Sequence, residues 1–558
     1  MMKLQNIYIG LFFILLTIFW YIFLPGTLWQ IEASDFFSFS PEFLRSYWAA
    51  PQGSAILLSS FIAQFFQIQT VGALIMGLIP TLFIWSQIST LPPRSRSMGA
   101  WMPFISGCFF AALFIRGLSL QTGLELLILS ILLSLYSILS KHFLRIIAVV
   151  TYIVIAYTLF PPLLTILLFV MLCFIEWQKS GKFYARMAVV SITIIAILIP
   201  LFLHSFIPEL PYSERFAIPG LQPQQQKGLF FLIGAMLGTR LLAFKPIDLK
   251  TLPMRLFLYI APMVLFFVLA FFIKDQTDEK GYRLDQALVR SQWSYIIDNF
   301  DESRLKEDPR QLRYLALALN NENQLSSKLF SYPFRSENDF YFQQCLNQPC
   351  SFFHAIFYNS LGVKNEAIHQ AFQNGISSNK GISFLTATQL REWYAAIGKK
   401  PIAERYDHLL SHSTLYEPIE LVTDSTITPI DSTAYFFIGA RPLVSDLARL
   451  VDADRNNKLA LDYLMCSLLL NRDLNKFWMM MKYYPVKENE VLPRHYIEAL
   501  LLINSQKPEF KITKKYTIPE SYMDGFKEFI TLLDQKEIGK LTLKQKYHDS
   551  YWYYFANK

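Results

Sequence analysis

The stretch LWQIEASDFFSF, residues 28–39, sets two carboxylates, Glu32 and Asp35, among aromatics just past the first long apolar run of the chain. A carboxylate in that setting can act as a general base toward a hydroxyl within hydrogen-bond reach, or it can be a loop's ordinary solubilising charge. Other groups share the ends of apolar segments. Arg116 and Glu125 flank a short turn at matching depth, which suits an ion pair or a ligand contact. His204 borders the Pro-rich loop 206–227, and Arg215 lies within it. Arg240, in GAMLGTR, sits near the end of an apolar run, where a long basic side chain is expected to snorkel toward water. The two glycines of that motif read as a helix-packing face.

Cysteine usage divides in two. Cys108, Cys173 and Cys466 fall in apolar helical stretches and read as packing residues. Cys345 and Cys350, in QCLNQPCS, would close a short loop around Pro349 if bridged. No CxxC pair, His cluster or HExxH occurs, so the sequence identifies no metal site. Walker-type and GxGxxG signatures are missing too, and no cofactor is indicated.

The elements that must position these residues follow from composition. The chain has 558 residues, is 53% hydrophobic with 49 Phe, and is only 17% charged, against about 25% in a soluble domain. Charges are sparse to about residue 273 and frequent from Lys274 onward. The sequence therefore predicts a polytopic membrane domain over 1–273 and a separate domain over 274–558. Apolar runs predict about nine spans, at 7–24, 70–87, 99–115, 123–140, 146–160, 162–176, 187–205, 228–244 and 256–273.

With a cytoplasmic N-terminus, the inner loops carry Lys3, Arg94, Arg96, Lys141, Arg145, Lys179, Lys182, Arg186, Lys245, Lys250 and Arg255, while the outer loops carry Arg45, Arg116, Arg215 and Lys227. That bias is positive-inside. It explains much of the +8 net charge without nucleic acid, and it puts the C-terminal domain outside the cytoplasm. The first run, Ile7 to Leu24, lacks a small-x-small cleavage site and reads as an uncleaved anchor. Between it and the second span, residues of about 25–69 predict juxtamembrane helices. Ser40-Pro41-Glu42 is a helix-start signal, and the Pro51–Ser54 stretch breaks and restarts the chain. A single long tilted span over 55–87 is the other arrangement open to this region.

The second half reads as amphipathic helices. FYNSLGVKNEAIHQAF (357–372) and WYAAIGKKPIAERYDH (393–408) align Tyr358 with Tyr394, Gly362 with Gly398 and Ala367 with Ala403, each pair 36 residues apart. Segments 314–330 and 463–478 are looser copies. Over roughly 285–505 the pattern resembles tetratricopeptide-like helical repeats. That resemblance implies a curved solenoid with a binding groove. Residues 412–445 interrupt it with Thr, Ser and Pro, and the aromatic tail KYHDSYWYYFANK is expected to dock on the solenoid or on the membrane surface.

A first span followed by an outer loop with an early acidic residue and juxtamembrane helices is similar in layout, over about residues 1–90, to the GT-C superfamily of membrane glycosyltransferases. The resemblance implies a polyprenyl-phosphate-linked sugar as donor and Asp35, perhaps with Glu32, as base or metal ligand; the paired acidic and WWD-like motifs of that family are missing. The whole layout also resembles uncharacterised bacterial inner-membrane proteins with a tetratricopeptide-like tail. The expected fold is all-α, a transmembrane helix bundle followed by a repeat solenoid. The expected role is an inner-membrane scaffold or assembly component that displays its solenoid to an envelope protein partner in the periplasm. The alternative is a GT-C-like glycosyltransferase. A transporter is disfavoured, since no inverted repeat or charged midplane helix shows in the spans.

Overall fold

The computed structural model describes residues 2–48, 52–92, 101–179, 223–242, 252–274, 278–341, 348–378, 380–416, 443–484, 491–508, 516–534 and 536–557, with single positions between 187 and 194. Among the described residues every regular element is helical. The chain falls into two compact units. Unit 1 is Met1–Arg283 with Ser383–Leu385 and Asp407–Ile419; unit 2 is Leu284–Ile382, Thr386–Tyr406 and Glu420–Lys558.

Unit 1 contains α1 (Met2–Phe23), α2 (Pro25–Ala33), α3 (Pro41–Trp48), α4 (Gly53–Ala63), α5 (Gln69–Ser89), α6 (Trp101–Ile115), α7 (Leu120–Ile138), α8 (His142–Leu159), α9 (Pro162–Lys179), α10 (Pro223–Leu242) and α11 (Leu252–Lys274), and the first turn of α12 (Glu279–Val289). Among the described residues, three helices are long and apolar enough to cross a bilayer: Gln5–Phe23, Gln69–Ser89 and Leu120–Ile138. The count becomes four if Tyr259–Lys274 and Glu279–Val289, bent by 57°, form one broken span. The expectation of nine spans is corrected accordingly.

Hydropathy detects apolar runs but not unbroken helix length. α6 has 15 residues, which reach ~22 Å against ~30 Å of hydrocarbon. Gly53–Gln67, His142–Ala156 and Pro162–Gln178 are likewise shorter apolar helices. α10 opens with PQQQK, so its apolar part is short, and the expected span 187–205 lies mostly outside the described residues.

One face of α1 buries Phe12, Leu16 and Trp20, while Ile7, Ile14, Ile18 and Ile22 stay exposed. An outward apolar stripe of that length is suited to lipid. The α5–α7 contact is polar inside. Ser86 and Ser130 share a short hydroxyl–hydroxyl bond, Gln87 Nε2 donates to Ser130 Oγ at 2.8 Å, and Ser137 Oγ donates to the Ser89 carbonyl at 3.2 Å. Small hydroxyl residues let apolar helices approach closely and bond across the seam. The GAMLGTR glycines do not play that part: nothing lies within 4 Å of a Cβ at Gly234, and Gly238 would meet only Met102 Cε, at 3.5 Å.

Unit 2 continues α12 and adds α13 (Trp293–Asp298), α14 (Arg310–Asn321), α15 (Leu325–Lys328), α16 (Gln348–Ser360), α17 (Lys364–Ile376), α18 (Phe384–Ala396), α19 (Lys400–Ser411), α20 (Leu443–Ala453), α21 (Lys458–Leu470), α22 (Leu474–Met480), α23 (Arg494–Gln506), α24 (Glu520–Asp534), α25 (Lys536–Tyr547) and α26 (Tyr551–Ala556). Five of its helix-to-helix turns share one backbone form. Ser291, Asn323, Gly362, Gly398 and Arg472 have φ of 52°, 56°, 79°, 72° and 57°. Each turn closes with the same two bonds, as in Gly362 N–H to the Asn359 carbonyl and Val363 N–H to the Tyr358 carbonyl. This is the Schellman arrangement, in which a left-handed residue satisfies the last carbonyls of a helix. Behind the glycine pair, Ala367 and Ala403 are fully buried, as close packing of the second helix requires.

The aromatic tail docks on unit 2. Glu498 Oε2 accepts from Tyr551 N–H at 2.7 Å and from His495 Nδ1 at 2.9 Å, Trp552 Nε1 donates to the Glu498 carbonyl, and Arg494 makes a bidentate pair with Asp549. Arg472 Nη2 donates to the Tyr554 and Asn557 carbonyls, with its guanidinium over the Tyr554 ring.

The turn geometry predicts opposite effects at two of its positions. Gly398→Ala should destabilise unit 2 by ~1 kcal/mol, and Ser291→Gly should raise stability by up to ~1 kcal/mol, since only a side chain is penalised there; chemical unfolding of the detergent-solubilised protein reads both. For the tail, Glu498→Ala strands buried donors and should cost ~3 kcal/mol. Arg494 holds the Asp549 carboxyl below its ordinary range. That contribution is present above the unfolded carboxylate pKa of ~3.9 and is lost as pH falls through the lower folded value. Tail release by limited proteolysis should therefore increase below about pH 4, and Asp549→Asn should flatten that dependence.

Candidate functional site

The first loop begins where α1 stops. α2 starts two residues later with no side-chain cap of its own, so its amides need acceptors. Glu279 supplies them from the start of α12. Its Oε1 accepts from Gly26 N–H at 2.7 Å, and its Oε2 accepts from Thr27 N–H and Thr27 Oγ1, both at 2.8 Å. Arg283 Nε donates to Glu279 Oε1 at 2.7 Å, while its Nη2 reaches the Ile22 and Phe23 carbonyls at the end of α1. A carboxylate thus meets the positive end of α2 and a guanidinium the negative end of α1. Gly26 is required by this approach: a Cβ there would stand 3.0 Å from Arg283 N and the Glu279 carbonyl.

α2 delivers Glu32 into a buried position, where one carboxylate oxygen accepts a short hydrogen bond from the Tyr416 hydroxyl. The chain then runs without regular structure over 35–40 and is fastened at alternate residues. The Asp35 carbonyl accepts from Phe384 N–H at 2.8 Å, the Phe37 carbonyl from Ser413 Oγ, and Phe39 N–H donates to the His412 carbonyl at 2.8 Å. Gln64 Oε1 accepts from Thr414 N–H at 2.9 Å. Phe36 packs on Phe384, which stacks on Tyr416 at 4.8 Å. Phe37, Phe39, Phe43 and Phe61 form an edge-to-face cluster beside them.

Asp35 is half-buried, with Oδ1 accepting from Phe36 N–H at 2.6 Å. Burial, and then the Asp35 carboxylate nearby, hold the Tyr47 phenol above its ordinary range. Ser40 Oγ accepts from Phe43 N–H at the start of α3, and at its end Trp48 is 75% exposed. Chemically, the loop offers one buried carboxylate bonded to a tyrosine, one half-buried carboxylate, and an aromatic surface.

The family described as "Family of unknown function (DUF6057)" matches residues 1–419 and 425–558. The chain belongs to that family. No curated protein and no solved structure matches it.

In this DUF6057 chain the other expected site residues do not gather around the loop carboxylates. Glu125 is buried on α7, its Oε1 bound by Gln121 Nε2 at 2.9 Å, and its Oε2 has no partner among the described residues. Arg116 follows α6 and is exposed. His204, Arg215 and Cys345 lie outside the described residues. Cys350 is disulfide-bonded, and Cys108, Cys173 and Cys466 are free. Among the described residues no group of three or more His, Cys, Asp or Glu could hold a metal ion.

Sequence reasoning missed three things in DUF6057. It did not find the Glu279–Arg283 clamp or the roles of Tyr416 and Ser413. It also missed a buried network in which Glu176 accepts from Tyr136 at 2.9 Å and from Arg145 at 3.2 Å. An acid four residues before an arginine was the available signal for the clamp, but it reads equally as a local helix pair. Arg240, expected to snorkel, is fully buried.

Glu279→Ala should cost ~2 kcal/mol through loss of the α2 cap and of a charge-assisted contact. Gly26→Ala should act on the same junction, and the pair should be strongly non-additive in a double-mutant cycle. Tyr416→Phe should leave the fold standing yet speed proteolysis at residues 34–40, read by mass spectrometry.

Proposed function

We propose that this protein is a multi-pass membrane protein of the bacterial envelope that displays a tetratricopeptide-like helical unit outside the cytoplasm, as a scaffold or assembly component for a protein partner. The observation that carries the reading is the recurrence of one Schellman turn at five helix junctions of unit 2, two of them at the glycines 36 residues apart. Stacked helix hairpins of this kind present extended surfaces suited to peptides and proteins. On α17, Phe372 and Ile376 are 48% and 58% exposed one turn apart, the kind of apolar pair a partner covers. The disulfide at Cys350 supports an oxidising compartment for unit 2, in keeping with the positive-inside distribution of basic residues.

A second reading, a GT-C-like glycosyltransferase acting on a polyprenyl-phosphate-linked sugar, draws support from one feature. Asp35 is half-buried on a firmly fastened loop directly after the first span, beside Tyr47. On this reading Asp35 is the base, and Glu32, committed to Tyr416, positions the loop.

Photo-crosslinking residues placed at Phe372 and Ile376 in cells should trap a discrete protein adduct. Diffuse or absent adducts at both positions, in a folded variant, would sink the scaffold reading. Complementation with Asp35→Asn separates the alternative, since altered envelope glycans support the enzyme and unchanged ones remove it. A cysteine at exposed Ser34 should react with an impermeant maleimide from outside the cell, and labelling only from the cytoplasmic side reverses the orientation.

A further inference from the structure

Two of the chain's eight histidines stand together. His408 and His412 are four residues apart across the end of α19, so their side chains meet on one face of its last turn. The ring centroids are 4.3 Å apart, with 51° between the planes. His412 Nδ1 lies 2.7 Å from the His408 carbonyl. A carbonyl only accepts, so Nδ1 carries the proton, and in the neutral ring Nε2 keeps its lone pair. His408 is exposed and His412 half-buried, which opens the pair to solvent without a cavity.

Two imidazoles at this helical spacing are the ligand pair that metal-binding helices use. A metal-ligating histidine ordinarily gives its other N–H to a carbonyl or carboxylate, which fixes its tautomer and orientation. His412 already makes that bond. The ring separation then selects the ion. With metal–nitrogen bonds of about 2.0–2.1 Å, two imidazoles at the right angle of a tetragonal ion have centroids roughly 4.4 Å apart, and the tetrahedral angle of zinc spreads them to roughly 5 Å. We propose that His408 and His412 form a two-imidazole site for a tetragonal divalent metal ion, copper(II) ahead of nickel(II), with water in the remaining positions.

The pair sits where the first loop is fastened. The Leu409 carbonyl accepts from Ser38 Oγ at 3.3 Å, the His412 carbonyl accepts from Phe39 N–H at 2.8 Å, and Ser413 Oγ donates to the Phe37 carbonyl. α19 ends at Ser411, and helix ends fray. An ion shared by the two rings ties the last turn of α19 to the residue beyond it, and so steadies the groups that hold residues 37–39. A ligand that binds only this folded arrangement stabilises it by mass action. The site rests on neither the scaffold reading nor the glycosyltransferase alternative, and its failure leaves both untouched.

The test uses the full-length protein without a polyhistidine tag, purified in mild detergent and stripped of metal by a chelator. Titration with copper(II) should fill one strong site per chain, nickel(II) should bind more weakly, and magnesium should not bind. Pulsed electron paramagnetic resonance of the copper form should show two coordinated imidazoles. His408→Ala and His412→Ala should each weaken copper binding at least about tenfold, no less than the loss of an outer-shell partner costs. His408→Ala keeps the His412–carbonyl bond, so its metal-free melting temperature should match wild type and exclude a folding failure. Copper(II) should slow proteolysis at residues 34–40 in wild type but not in His408→Ala. Wild-type copper affinity in both variants, or a resonance signal without two imidazoles, overturns the site. Copper bound at the pair with cleavage at 34–40 unchanged keeps the site but removes its hold on the loop.

Discussion

Two helix ends meet at Leu24, and neither can satisfy itself. α1 leaves carbonyls unpaired, and α2 leaves amides unpaired, at the point where the chain turns out of its first apolar segment. The Glu279–Arg283 pair resolves both at once with charges matched to the two helix dipoles. The whole first loop depends on this junction. It sets the direction of α2, which brings Glu32 to Tyr416, and it sets where the segment 35–40 enters its set of bonds with residues 384 and 412–413. A loop that sequence alone would leave free is held along its length by backbone and side-chain partners.

Unit 1, with its few long apolar helices, shows how polar groups are placed inside an apolar helix packing. Serines and a glutamine stitch α5 to α7 with bonds confined to the seam. The Arg145–Glu176–Tyr136 group neutralises its charge internally and closes on the carbonyls that end α7. Arg240 stands apart because its backbone is braced while its charge is not balanced by any described side chain.

Local signals in the sequence were readable. Ser40-Pro41 marked the start of α3 and Gly53 the restart of α4, because caps and breaks are decided within a few residues. Gly362 and Gly398 marked two turns for the same reason, whereas Ser291, Asn323 and Arg472 adopt the same backbone without a glycine to announce it. Span number was not readable, since an apolar window counts residues without knowing where helix geometry ends. The membership of Ser383–Leu385 and Asp407–Ile419 in unit 1 was hidden because hydrogen bonds across several hundred residues leave no periodic trace. For Arg240 the sequence shows a cation near a helix end, but burial by neighbouring helices, rather than position in the run, determines its surroundings.

The cap on α2 also carries information about time. Gly26 and its acceptor Glu279 are 253 residues apart, so at 5–20 residues per second the ribosome needs roughly 10–50 s to deliver the second after the first. Tyr416 and Ser413 emerge later still. Throughout that interval Gly26 and Thr27 lack their Glu279 acceptor and Phe36 lacks its Phe384 neighbour. The first loop therefore completes its set of contacts only after the middle of the chain has been made.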